Sequence, residues 1–140
     1  MSNEFHIKVD IDIPVAQLQS RGEKALRRSR LKLKQLIVQD TNKRVPIGKG
    51  TLRNSALRWA AQDNDWIIWD TPYAHFQHTG RVMIGVNSHS PWARHGETKV
   101  YTARTLSYRQ GGAEWWPKTA QSRKKAWLEG AKKFFREEFR

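Results

Sequence analysis

The sequence predicts an α+β fold in which a small antiparallel sheet packs against two long amphipathic helices. Apolar residues recur at helical spacing over residues 15–42 and again over residues 118–139, whereas apolar and polar residues alternate near the N-terminus. The middle of the chain is rich in Pro and Gly and has weak periodicity. There we expect an extended arm or a hairpin at residues 81–112.

The N-terminal segment, residues 5–13, alternates apolar with charged or polar residues, as a strand with one buried face does. Pro14 ends this strand and suits the start of the first helix, which we expect over residues 15–42 because Pro46 limits it. The polar side of this helix carries Arg21, Lys24, Arg27, Arg28, Arg30, Lys32 and Lys34, opposed by Glu23 alone. A solvated surface and a face towards DNA or an acidic ring both fit this pattern.

The region between the helices contains turn signals and short strand candidates. Residues 45–55 combine a proline with glycines, which predicts a turn leading into a short segment. Residues 57–61 and 66–70 are predicted to pair as an antiparallel hairpin, because the Gln-Asp-Asn-Asp between them is typical of turns. Residues 72–79 are predicted as a short helical or turn segment that Gly80 closes.

Residues 81–112 form the predicted arm. A structureless stretch of that length is uncommon inside a compact domain unless it is functional, so we expect the arm to contact a neighbouring subunit. The arm residues expected at this interface are Val86, Trp92, Tyr101 and Tyr108.

The C-terminal helix, residues 118–139, also has an apolar stripe and a basic outer side. The predicted structural core is made by Trp69, Tyr73, Phe76, Gly80, Trp116 and Trp127. The cations expected to face DNA or a protein ring are Arg21, Lys24, Arg27, Arg28, Lys124, Lys125, Lys132 and Lys133.

The composition of the chain limits its class. With 140 residues it fits one domain, residues 1–140, and with no cysteine it has neither a disulfide framework nor a thiolate metal site. No apolar run approaches the length of a signal or a membrane span, so we expect a protein that is neither secreted nor membrane-spanning. The net charge of +13 favours polyanions or acidic protein partners, and seven tryptophans favour large contacts between subunits.

The residues that could carry chemistry are scattered. His75 and His78 could share one side of a helical turn, and two further histidines follow, but we expect polar or aromatic contacts for them rather than zinc. The carboxylates do not cluster as a hydrolytic metal centre requires. Gly48 and Gly50 are separated by Lys49 alone, which does not match a phosphate-binding loop. We therefore expect no enzymatic activity, no metal and no cofactor.

Three segments, taken in order after a basic helix, resemble a known family. They are residues 46–55, Pro-x-Gly-x-Gly-Thr-Leu-Arg-Asn-Ser; residues 69–80, Trp-Asp-Thr-Pro-Tyr-Ala-His-Phe-Gln-His-Thr-Gly; and residues 115–120, Trp-Trp-x-x-x-Ala. This order resembles the neck proteins of tailed phages that are called minor capsid or head–tail joining proteins, over residues 15–135. Gln77-His78 stands where the wider family has an acidic residue, which is similar to the minor-capsid branch.

The resemblance implies an α+β fold without enzymatic activity. It also implies a homo-oligomeric ring, a hexamer or a dodecamer, in the neck of the virion between the connector under the head and the top of the tail tube. The implied partners are neighbouring connector and tail proteins and double-stranded DNA that passes without sequence specificity, with no membrane involved. Synthesis is expected in the cytoplasm of the host bacterium.

Three alternatives remain open at this point. The charge and the tryptophan content also fit a free, non-specific nucleic-acid-binding protein, although no familiar nucleic-acid-binding motif is present. A tail terminator or completion protein at the top of the tail tube is the second alternative. The third, a small nuclease or toxin, is disfavoured by the scattered carboxylates.

Overall fold

The computed structural model describes residues 4–10, 20–47, 50–90 and 96–139. Within them, helices and strands follow in the order β1 (Phe5–Lys8), α1 (Ser20–Asn42), α2 (Thr51–Ala60), β2 (Trp66–Trp69), α3 (Ala74–Thr79), β3 (Arg81–Gly85), β4 (Lys99–Thr105) and α4 (Trp115–Phe139). β1 pairs with β2, and β3 pairs with β4, each as a separate antiparallel sheet. The predicted α+β class is confirmed, with two small sheets in place of one.

Strand β1 places its apolar residues on one side. Ile7 and Val9 are buried while Lys8 between them is exposed, which is the alternation that the sequence predicts. In the antiparallel register Ile7 lies opposite Ile67 of β2. The strand ends at Lys8, earlier than predicted, and the backbone N–H of Val9 then donates to the carbonyl of Asp65 at 2.5 Å. Residues 11–13 of the predicted strand lie outside the described residues.

Helix α1 buries a stripe that includes Leu33, Ile37 and Val38. It ends at Asn42, before Pro46, as expected, because the residue that precedes a proline disfavours helical geometry. Residues 15–19, where the helix was predicted to begin, lie outside the described part of the chain.

Residues 57–61 do not form the predicted strand, because most of them belong to helix α2. Leu52, Ala56 and Ala60 are four residues apart and all buried, which makes one apolar stripe along a helix. The prediction overlooked this spacing because it began the segment at Leu57, whose side chain is 51% exposed. β2 consequently pairs with β1, which is distant in sequence.

A left-handed glycine connects α3 to the second sheet. Gly80 has a φ of 75°, a conformation that residues with a Cβ rarely adopt, and an added Cβ would collide with the Cβ of Ala113. β3 follows at once and pairs with β4, so that Gly85 lies opposite Lys99. The hairpin predicted within residues 81–112 is therefore present, while residues 91–95 in its loop lie outside the described residues.

Helix α4 begins at Trp115, three residues before the predicted start at residue 118. Pro117 lies in its first turn, where a missing N–H costs nothing because it would have no partner within the helix. α4 packs along α1, and both helices contact the sheet of β1 and β2 through one core. The fully buried indole rings of Trp69 and Trp115 lie 6.2 Å apart at its centre.

Candidate interaction surfaces

The first turns of α1 present a basic surface. Lys24, Arg27 and Arg28 are exposed, as the sequence predicts, and Arg28 is 3.7 Å from Glu138 of α4. The hydrogen bonds and ion pairs of the described residues include no acidic partner for Lys24 or Arg27. The side chain of Arg21 lies outside the described part of the chain. Two uncompensated cations therefore lie one turn apart on the helix surface.

Lys34, a later cation of α1, is not on a solvated surface, and this part of the prediction is wrong for it. Its side chain is fully buried, and its ammonium group donates to the carbonyls of Gln62 and Asn64 at 2.9 and 3.1 Å and to Oδ1 of Asn64 at 3.0 Å. Burial lowers the pKa of Lys34 from 10.5 to about 8, with the charge of Arg30 adding to the effect.

Arg30 is bound to the same loop, one turn before Lys34. Its guanidinium donates to Oδ1 of Asp65 at 2.7 Å and to Oδ1 of Asp63 at 2.6 Å. The Gln-Asp-Asn-Asp segment, predicted as a hairpin turn, thus connects α2 to β2 and holds them against α1. Helical periodicity alone could not reveal this, because the partners are about 30 residues away in sequence.

Helix α4 carries the second set of predicted cations, and all four side chains are exposed: Lys124, Lys125, Lys132 and Lys133. Lys132 lies 3.6 Å from Glu129, and Lys133 lies 4.0 Å from Glu137, both as weak pairs within the helix. The ion pairs of the described residues include none for Lys124 or Lys125.

The β3–β4 hairpin exposes most of its surface. Of the seven residues of β4, only Thr102 is partly buried. Val86 and Tyr101, both predicted at a subunit interface, are 47% and 39% exposed. Tyr108 is half-buried, its hydroxyl donates to the carbonyl of Gln77 at 2.7 Å, and burial raises its pKa. Trp92 lies outside the described residues.

Most of the predicted core residues lie inside the protein. Trp69 is fully buried, Trp127 is 6% exposed, and Trp116 stacks on Trp127 with ring centres 5.6 Å apart. Gly80 is also buried, and Phe76 is partly buried.

Tyr73 contradicts the core prediction, because its side chain is 41% exposed. It precedes the first turn of α3, where the neighbouring Ala74 is the residue that enters the core. The small side chain of Ala74 fits into the core at the start of α3, while the larger side chain of Tyr73 remains at the surface.

The described histidines include one with clear aromatic contacts. His78 stacks on Phe5 at 4.1 Å and meets the edge of Trp115 at 4.6 Å, which is the aromatic contact expected for it. Burial lowers the pKa of His78 to about 4, against an opposing effect of Glu114. In the described part of the chain, no group of three or more His, Asp or Glu residues could hold a metal ion.

Asp40 is a structural residue that the sequence reasoning missed. It is 8% exposed, and its Oδ2 accepts hydrogen bonds from Nε1 of Trp127 at 2.8 Å and from Nε of Arg123 at 3.0 Å. Asp40 follows Ile37 by three residues and so lies on the buried stripe of α1. An acidic residue on an apolar stripe could have indicated in advance that it has a buried hydrogen-bond partner.

A groove of about 1000 Å³ runs between α1 and α4 beside the end of β1. Leu33 and Trp127 are among its buried apolar residues, whereas Leu128, also in its lining, is 56% exposed. Lys124 and Lys132 belong to its basic lining. The groove adds an apolar surface to the basic surfaces of the two helices.

These features define a small α+β protein whose distinctive parts are contact surfaces. They comprise two basic helices, an apolar groove and an exposed hairpin. No helix in the described part of the chain combines the length and the apolar character that a membrane crossing requires.

The chain belongs to the minor capsid protein family, whose description, Minor capsid protein, matches residues 7–134. It is accordingly a phage structural protein of the virion, where other virion proteins are its partners. The family resemblance found in the sequence is confirmed. No curated protein and no solved structure matches the chain.

Proposed function

We propose that this protein forms a homo-oligomeric ring in the neck of a tailed phage, between the connector under the head and the tail, and that DNA passes through this ring. The hairpin of β3 and β4 is the observation that carries the proposal. A two-stranded hairpin is only marginally stable in water, and this one leaves almost all of β4 exposed. A neighbouring subunit would supply the missing contacts.

The side chains of the hairpin suit a protein contact. Val86, Val100 and Tyr101 are each about 40% exposed or more, so the body of the protein leaves apolar and aromatic groups of the hairpin uncovered. Tyrosine is enriched at the centres of protein interfaces, where it buries a large area at little cost in conformational entropy.

The charge of the protein supports the passage of DNA. Lys24 and Arg27 on α1, with Lys124 and Lys125 on α4, are exposed and lack acidic partners among the described ion pairs. Contacts of such side chains with phosphates carry no sequence information, and a channel for a whole genome requires none.

Substitution in the hairpin tests the ring. Val100→Ser combined with Tyr101→Ser should leave the circular dichroism spectrum unchanged but reduce both the oligomer measured by native mass spectrometry and the incorporation into particles. Leu57→Ser is the matched control, since Leu57 is an exposed apolar residue of α2 outside the hairpin. Normal assembly of the double variant would refute the proposed contact.

Charge reversal tests the role of DNA. Lys24→Glu with Arg27→Glu should weaken the binding of duplex DNA, which is expected to be weak, unspecific and steeply dependent on salt. Electrophoretic mobility shifts at two salt concentrations would measure it. A preference of about 10³-fold or more for one sequence at physiological salt would favour a regulatory DNA-binding protein instead.

A further inference from the structure

A polar cleft lies between the end of α1 and the first turns of α4. It has a volume of about 310 Å³ and is lined by Asp40, Lys43, Arg44, Thr119, Ser122 and Arg123. Lys43 follows Lys24 by 19 positions, roughly 28 Å if the rise of a helix is applied to all of them, so the cleft is distinct from the basic surface at the start of α1. Its three cations exceed its single carboxylate, which leaves the cleft positively charged.

The carboxylate of Asp40 holds Arg123 in place. It accepts a hydrogen bond from Nε of Arg123 at 3.0 Å and another from the indole of Trp127, and it is 8% exposed. The hydrogen bonds of the described residues use none of the terminal guanidinium nitrogens of Arg123, and its side chain is 45% exposed. Those two nitrogens remain available as donors to a ligand.

Arg44 also lines the cleft, and hydrogen bonds hold its backbone in place. Its N–H donates to the carbonyl of Thr41 at 2.9 Å, and its own carbonyl accepts from the N–H of Gly112 at 3.0 Å. Among the hydrogen bonds of the described residues, its side chain makes only a long one, 3.5 Å from Nη2 to Oγ of Ser122. Lys43 lies 3.8 Å from Asp40, beyond ordinary hydrogen-bond length.

Thr119 provides a second, independent observation. This residue lines the cleft, is 1% exposed, and its hydroxyl has no hydrogen-bond partner among the described atoms. An unpaired buried hydroxyl costs about 1–3 kcal/mol, so buried hydroxyls are nearly always paired. Thr119 lines the cleft, so a ligand oxygen that reaches this buried hydroxyl would give it the partner that it lacks within the described part of the chain.

We propose that this cleft binds a phosphate group, held by Arg44, Arg123 and Lys43 with the hydroxyl of Thr119. A phosphate offers enough oxygens to accept from two guanidinium groups, an ammonium group and a hydroxyl together, whereas a carboxylate offers two. The phosphate belongs either to a DNA backbone or to a free phosphate, and the site does not depend on assembly into a ring.

Titration of the full-length protein with inorganic phosphate at low ionic strength tests the site, followed through the amide NMR signals of Arg44, Ser122 and Arg123. We expect saturation with one phosphate per chain. Arg44→Gln should weaken binding about tenfold, the effect of losing one charge-assisted hydrogen bond. Thr119→Val should also weaken binding without lowering the melting temperature, because it removes a hydroxyl that has no protein partner.

Arg27→Gln is the matched control, since it removes the same charge from an exposed position of α1. It should change the phosphate affinity by less than about twofold, because distant exposed charges are screened. An equal loss in Arg27→Gln and Arg44→Gln, or titration without saturation, would overturn the site.

Competition distinguishes the sources of the phosphate. Displacement of inorganic phosphate by a short DNA duplex supports a backbone phosphate, and displacement by pyrophosphate but not by the duplex supports a free one. If acetate binds to the cleft as tightly as phosphate does, the cleft is a general anion or carboxylate site and the proposal is wrong.

Discussion

The pair formed by α1 and α4 and the hairpin formed by β3 and β4 differ in how far the chain itself provides contacts for their side chains. Between the helices, Asp40 and Trp127 are buried and have partners within the chain: Asp40 accepts two hydrogen bonds, and Trp127 stacks on Trp116 while donating one of them. On the hairpin, Val100 and Tyr101 remain exposed. The helix pair therefore contributes to the stability of the core, whereas the hairpin leaves apolar side chains uncovered.

The largest expected effect lies in the core that the helix pair covers. Trp69→Ala should lower the free energy of unfolding by about 3–5 kcal/mol, because it removes a fully buried indole and leaves a cavity. It also removes the hydrogen bond from Nε1 to Oδ1 of Asn42. Urea denaturation followed by circular dichroism would measure the change.

Trp66→Ala is the control at the other end of the same strand, where the indole is 41% exposed. Its loss should be clearly smaller than that of Trp69→Ala. Equal losses of unfolding free energy in the two variants would mean that the burial of Trp69 does not make it more important for stability than the exposed Trp66.

The next effect concerns Lys34. Lys34→Met should lower the free energy of unfolding by about 1–3 kcal/mol at neutral pH, because the carbonyls of Gln62 and Asn64 lose their donor. Since the pKa of Lys34 is about 8 in the folded state, against 10.5 for an unperturbed lysine, the unfolded chain binds more protons between these values. The contribution of Lys34 to stability should therefore rise as the pH rises from 8 to 10.5.

Denaturation curves at several pH values would show this slope as the difference between the wild type and Lys34→Met. Lys24→Met, at an exposed position of the same helix, should reproduce the wild-type curve. A difference that falls with pH over this range would contradict the assigned direction of the Lys34 shift.

His78 should limit the stability of the protein at acidic pH. Its pKa is about 4 in the fold, against 6.5 for an unperturbed histidine, so the unfolded chain takes up the proton first. Its contribution to stability should be complete above pH 6.5 and fall as the pH drops towards 4. His78→Phe should reduce this fall while keeping an aromatic ring against Phe5, as thermal melts between about pH 4 and 7 can show.

The smallest effect is expected on the hairpin. Tyr101→Ser should change the free energy of unfolding by less than about 0.5 kcal/mol, since surface residues without special contacts contribute little. The hydroxyl of Tyr101 makes only a 3.5 Å contact with Thr79. A loss above about 2 kcal/mol would place Tyr101 in the stabilising part of the fold and remove the contrast with the helix pair.

Elements with a clear apolar pattern were predictable from the sequence. The stripe containing Leu33 and Ile37 predicted α1, because burial of one side of a helix imposes a period on its side chains, and the continuous apolar run that begins at Trp66 predicted β2. Helix α2 was missed where its stripe consists of the small Ala56 and Ala60, which carry a weak apolar signal.

The contact surfaces were less predictable than the elements. Lys24 and Lys34 look alike in sequence, yet one is exposed and the other fully buried, because a loop about 30 residues away covers only the second. Tyr73 and Ala74 were likewise indistinguishable before the chain reversal at α3 assigned one to the surface and the other to the core. Tertiary contacts between distant segments decided these positions.

The bonds of Asp40 join positions 83 and 87 residues apart, and they bear on the timing of synthesis. A ribosome releases α1 long before it has made Arg123 and Trp127, on the order of ten seconds at typical elongation rates. During that interval α4 is not yet available to cover the side of α1 on which it packs in the folded protein. The nascent chain therefore completes this core only after α4 has been synthesised.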